Sequence, residues 1–201
     1  MGNVRLYGST SGYTELAAPA VAPDGVLTLP AVAGTLATTA DITTAVAAIV
    51  PGKILQVVSV TKVDTFSTSS TSFVDVTGLT ANITPASVSN KVLVIYKVGV
   101  NSSFTNLGYL QLLRDATAIG GGTATGSRPS AMSVFRTATA YGTMDLSGLY
   151  LDSPASVSSQ TYKIQTRTNS NSFSINTSND DGDDAAAART SSTITLIEVA
   201  A

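Results

Sequence analysis

Four carboxylates crowd into one stretch of this 201-residue chain, Asn179-Asp180-Asp181-Gly182-Asp183-Asp184. Oxygen ligands around a glycine are what a hard cation such as calcium takes. The order departs from that of an EF-hand loop, and no Glu follows at the last ligand position. Adjacent Asp side chains also repel one another when packed. The stretch therefore reads as a solvated acidic loop, and whether it binds calcium is left to the structure. Gly120-Gly121-Gly122-Thr123-Ala124-Thr125-Gly126-Ser127-Arg128-Pro129 has the glycines of a phosphate cradle. It lacks the Lys, and no helical pattern follows, so it reads as a flexible hairpin loop. Gly8-Ser9-Thr10-Ser11-Gly12 spaces its glycines like a nucleophile elbow, with Thr10 where the Ser should stand.

The chain has no His and no Cys. That removes the commonest zinc ligands, a thiol nucleophile and any Ser-His-Asp triad. Only Glu15 and Glu198 are Glu, each near a chain end. Paired glycosidase carboxylates depend on a spatial separation, so a carbohydrate-active enzyme stays as a remote alternative to the non-enzymatic reading. No cofactor and no metal are expected. Tyr109, Phe135, Tyr141 and Tyr150 lie in or beside the glycine-rich region 99–150. Aromatic faces there can stack on sugar rings, or they can be core and inter-subunit packing. The candidate receptor-facing positions are Tyr109, Arg128, Tyr141, Asp181 and Asp183.

Charged residues make up 12% of the chain and the formal net charge is −2. That share is about half the usual one, and the 54 Ser and Thr fill the gap. Eleven Lys and Arg without a basic run give no footprint for nucleic acid. The apolar runs fall short of the roughly 18 residues of a spanning helix, so no membrane insertion is expected. The first residues carry no signal-peptide pattern. Met1-Gly2 invites myristoylation, but Leu6 stands where the motif has Ser or Thr.

The elements that must position these residues change character near residue 51. Residues 1–50 hold Pro19, Pro23 and Pro30 and an echo, Pro19-Ala20-Val21-Ala22 and Pro30-Ala31-Val32-Ala33. With the turn Pro23-Asp24-Gly25 and the run Val26-Leu27-Thr28-Leu29, these read as two short extended arms. An isolated hairpin is marginal in water, so the arm needs copies of itself or a host surface. Thr39 to Val50 predicts a short helix, capped by Thr39 or Asp41 and ended by Pro51-Gly52. Ile42, Val46 and Ile49 form one narrow stripe, either lying on a sheet or forming a neck where three chains meet. Residues 53–201 read as strands: Ile54–Val60 and Lys91–Val100 as central strands buried on both faces, and Thr161–Arg167 as an alternating one with Tyr162 and Ile164 inward. Ser172–Asn176 alternates in the same way, and Phe73–Val76, Leu79–Thr84, Gly108–Arg114, Ala131–Arg136, Met144–Leu151 and Thr193–Val199 complete the set. This spacing predicts a mainly β fold, an antiparallel β-sandwich or jelly-roll head behind an extended arm.

Residues 8–22, followed by Leu27-Thr28-Leu29-Pro30 and Gly34-Thr35-Leu36-Ala37-Thr38-Thr39-Ala40-Asp41-Ile42, resemble a segment common in bacteriophage virion proteins, especially tail-fibre proteins and including those of cyanophages. Ile54 to Val100 and Thr193–Val199 look like the β domain that follows it there. The resemblance implies a homotrimer with an N-terminal attachment arm, found in the virion after assembly in the host cytoplasm. It implies contacts to baseplate, tail or major capsid proteins through Tyr13, Leu16, Val21, Leu27 and Leu29, with Ile42, Val46 and Ile49 as trimer neck. A short tail fibre or receptor-binding tip meeting a host-surface glycan is the expected role. Tail fibres usually have a long shaft, and about 50 residues precede this head, which makes a capsid decoration (cement) protein the alternative.

Overall fold

The computed structural model describes residues 4–7, 10–16, 42, 52–102, 106–136, 142–178, 181–185 and 187–201. Two compact units divide the chain, Met1–Thr44 and Ala45–Ala201. In the first, β1 (Val4–Tyr7) and β2 (Tyr13–Leu16) form an antiparallel hairpin that sets Arg5 opposite Glu15 and Tyr7 opposite Tyr13. Gly12 takes a φ of 78° at the return, where a side chain would be strained. Tyr13 and Leu16 therefore belong to a strand that the residue pattern did not predict. Ile42 is helical and 55% exposed. The rest of the predicted helix, with Val46 and Ile49, lies outside the described residues, as do Val21, Leu27, Leu29 and the Pro19–Pro30 arms.

The second unit holds β3 (Ile54–Lys62), β4 (Phe66–Thr68), β5 (Val74–Ile83), β6 (Lys91–Ser102), β7 (Gly108–Arg114), β8 (Thr117–Ile119), β9 (Ser133–Phe135), β10 (Met144–Asp152), β11 (Gln160–Thr168), β12 (Phe173–Ile175) and β13 (Ser192–Val199). Strand β10 pairs with β6 over Val92–Val100, so β13 and β12, which pair with Lys91–Lys97 and Val100–Ser102, share the other edge of β6. They are two pieces of one line. The same reasoning joins β3 to β4, and β8 to β9 along the free edge of β7. Eight lines result, in two antiparallel sheets: β3/β4, β13/β12, β6, β10 and β5, β11, β7, β8/β9. All connections but one cross between sheets, which is the eight-stranded jelly roll.

The core lies between the sheets. The inward positions of β6 are Val92, Val94, Tyr96, Val98 and Val100, all at most 2% exposed. Opposite them pack Leu110, Leu112, Tyr162 and Ile164. Strand β11 alternates as its sequence predicts, since alternate residues of a strand face opposite sides.

Three expectations change. Ile54–Val60 is an edge line, with Leu55 and Val57 exposed on its outer side. Lys91–Val100 is central, but only one face is buried, because Leu93 and Ile95 point away from the core. Phe73–Val76 and Leu79–Thr84 belong to one strand, β5, whose register slips opposite Lys163 and Gln165 around Gly78 (φ 83°). Among the described residues no helix is long and apolar enough to cross a membrane.

Candidate functional site

Two lines of the jelly roll break beside each other. The β3/β4 line breaks at 63–65, and the adjacent β12/β13 line breaks at 176–191. Asn176 fixes the root of this second excursion. It is fully buried with φ 62°, a conformation that Asn tolerates better than most residues. Its amide donates to the carbonyls of Lys62 and Asp64, both at 3.0 Å, and its side-chain oxygen accepts from Ser192 at 2.6 Å. The returning chain closes with Thr190 N–H on the Asn176 carbonyl at 3.2 Å.

The excursion walls a cleft of about 340 Å³ lined by Thr177, Ser178, Asp181, Gly182, Asp183, Asp184, Ala187 and Arg189. A second cleft of about 190 Å³ shares Thr177 and Asp181 with it and adds Phe66, Ser67, Ser172 and Ser174. Arg189 grips Asp181 with two parallel bonds, Nε to Oδ1 at 3.1 Å and Nη2 to Oδ2 at 3.0 Å. The Thr177 hydroxyl donates to Asp181 Oδ1 as well, and this bond, followed by the Arg189 charge, holds the carboxyl below its ordinary range. Asp181 is thus a structural anion, while Asp183 is exposed on the rim. Among the described residues no three Asp or Glu are grouped to hold a metal ion. The lining offers hydroxyl donors, carboxylate acceptors and one guanidinium, which together suit a polyhydroxylated ligand.

The predicted positions scatter over the second unit. Asp181 and Asp183 share the cleft. Arg128 sits on a separate excursion, 120–132, between β8 and β9, where it bridges to Thr125 across a turn. Tyr109 lies in strand β7 and not in a loop, with the Arg167 guanidinium 5.1 Å from its ring centre and 5.8 Å from that of Phe73. Phe135 is core and Tyr150 packs against it. Tyr141 lies outside the described residues. The residue pattern missed Asn176, Thr177, Ser178 and Arg189. The one signal for Arg189 was a lone basic residue shortly after an acidic run.

Gly99 couples the sheet to the cleft. A Cβ there would run into Thr190 Oγ1, and the Gly99 carbonyl accepts from Asn176 N–H at 2.9 Å. Gly99→Ala is expected to displace Thr190, lower stability by about 1–3 kcal/mol and speed tryptic cleavage after the exposed Arg189. An unchanged cleavage rate would show that this contact does not hold the loop.

No protein-family model matches the chain, and no curated protein matches it in sequence. Among solved structures it is similar to a mutant VP2 protein of infectious bursal disease virus in derived T=1 particles, at 14% identity and a TM-score of 0.41 over 97% of this chain and 44% of that one. It is also similar to the infectious bursal disease virus Gt strain structure, at 14% identity and a TM-score of 0.40 over 97% of this chain and 46% of that one. The chain spans less than half the length of these proteins.

Proposed function

We propose that this chain is a non-enzymatic structural protein of a virion, a homotrimer whose residues 1–50 anchor it to other virion proteins. Its jelly-roll head is a short tail fibre or receptor-binding tip. The likeness of residues 8–42 to phage virion segments supports the virion role. The observation that carries the binding role is the 176–191 excursion, which hangs a hydroxyl- and carboxylate-lined cleft on a rigid sandwich. The cleft has no His and no Cys to act as base or nucleophile, and its best-placed carboxylate, Asp181, is already committed to Arg189 and Thr177. That favours binding over turnover.

The same internal pairing of Asp181 also fits a loop that only faces solvent, as a capsid decoration protein would have. A glycan array probed with the labelled full chain separates the two. Saturable binding to at least one glycan, lost in Arg189→Ala, is the expected result. Absence of binding to every glycan at micromolar concentration overturns the receptor-binding reading and leaves shell binding through the arm.

A further inference from the structure

The outer faces of the two sheets differ in kind. On the β5/β11/β7 sheet the outward residues form polar networks: Lys163 and Gln165 both donate to Asp75, at 2.8 and 2.6 Å, and Arg167 covers Tyr109. That is the solvated outer face expected of an antiparallel sandwich. The outer face of the β3/β13/β6/β10 sheet carries an apolar stripe flanked by Ser, Thr and Lys. Strand register places Val57 opposite Ile197, Ile197 opposite Leu93, and Leu93 opposite Leu151, one unbroken row across all four lines. The next row carries Ile95 opposite Leu149. Leu149 is 70% exposed and Val57 57%, so nothing in the described chain covers them.

Size and charge narrow the occupant. The row of four and the adjoining pair, at about 4.8 Å between strands and about 6.7 Å between rows, cover a projected area of roughly 200 Å². The rest of the second row is Ser59 and Thr195, hydrogen-bonded to each other at 2.9 Å. The Ser, Thr and Lys rim extends the face toward the roughly 800 Å² per partner that a stable assembly buries. The rim pairs Lys97 with Asp145 at 3.3 Å, both partly exposed. A mixed-sign rim around an apolar centre suits a different patch of a second copy, the head-to-tail contact that a cyclic trimer uses, and gives no single-sign field for nucleic acid or an anionic bilayer.

We infer that this face is where copies of the chain meet. The inference rests on the homotrimer reading and assigns its contact surface: the row Val57, Ile197, Leu93 and Leu151 with Ile95 and Leu149.

Light scattering on the eluting full chain and on a Val57→Lys/Leu149→Lys variant is the test. A trimeric wild type with a monomeric, still β-rich variant is expected. A variant that stays trimeric overturns this surface and leaves the homotrimer standing, whereas a monomeric wild type overturns both. Because the chain has no Cys, Leu149→Cys and Thr80→Cys each supply one thiol, on the two opposite outer faces, without charging either. Reaction with a charged maleimide is expected to be about 10-fold slower at position 149, as a dry interface excludes the reagent. Equal rates would overturn the assignment even if the lysine variant failed to fold.

Discussion

Replacing Glu198 by Ala is expected to lower the stability of the full chain by about 3 kcal/mol, a fall of roughly 6–12 °C in melting temperature at fixed concentration. Glu198 is 1% exposed on β13 and takes three donors: Gln56 Nε2 at 2.6 Å, Asn90 Nδ2 at 2.6 Å and the Ala86 N–H at 2.7 Å. It ties β13 to β3 and to the 84–90 connection, and Ala would leave the buried Asn90 amide without its carboxylate. Burial by itself would raise the Glu198 carboxyl, but the donors outweigh it and hold the group below its ordinary value. The folded chain therefore binds this proton more weakly than the unfolded chain. Its contribution is complete above the unfolded value of about 4.3 and is lost as pH falls through the lower folded one. Asp75, held low by Lys163 and Gln165, and Asp181 act in the same direction. Glu198→Gln, which keeps the shape, should reduce the acid slope of a melting-temperature profile between pH 5 and 3 without abolishing it. An unchanged slope would place the acid sensitivity elsewhere.

The sandwich was legible wherever a strand is long enough to repeat its pattern. Thr161–Arg167 shows three inward–outward alternations, and β11 follows them residue for residue. The residue pattern did not predict the three-residue pieces β4 and β8, while β9 and β12 fall within Ala131–Arg136 and Ser172–Asn176. The alternation expected of Ser172–Asn176 fails because Ser174 is buried along with Phe173 and Ile175. Only pairing reveals that these pieces continue broken lines. Ile54–Val60 is instructive in the opposite sense. Its run is apolar on both faces, and burial on both faces within one chain was the natural reading. Periodicity reports how many faces shun water. It does not report whether a second sheet or a second chain covers them. The cleft was half legible, because an acidic run announces a loop, but its geometry depends on Asn176 adopting a left-handed turn in the core and on Arg189 folding back over Asp181. Neither residue type nor spacing encodes that return.

The second large effect is expected at Asp152, the charge that staples the two sheets. Asp152 closes β10 in one sheet, and its Oδ2 accepts from Arg114 Nη1 of β7 and from the Tyr162 hydroxyl of β11 in the other, both at 2.7 Å. Tyr162 is fully buried. Its burial, reinforced by the bond to Asp152, pushes the phenol well above the ordinary tyrosine range, so it stays a donor at any pH the fold survives. Asp152→Ala would strand the Arg114 guanidinium and the phenol against the core, at a cost of about 3–5 kcal/mol. Tyr162→Phe removes one donor and leaves the ion pair, so it should cost only about 1 kcal/mol. Replacing the whole group, with Asp152→Leu, Arg114→Met and Tyr162→Phe together, should return stability to within about 1 kcal/mol of the wild type, since the expense of a broken buried pair lies mostly in the uncompensated partner. Chemical denaturation of the four proteins checks the series. A triple variant as weak as Asp152→Ala would mean that the pair contributes net stability to the sandwich. Recovery would mean that its role is alignment: a polar contact that sets how β10 lies over β7 and β11.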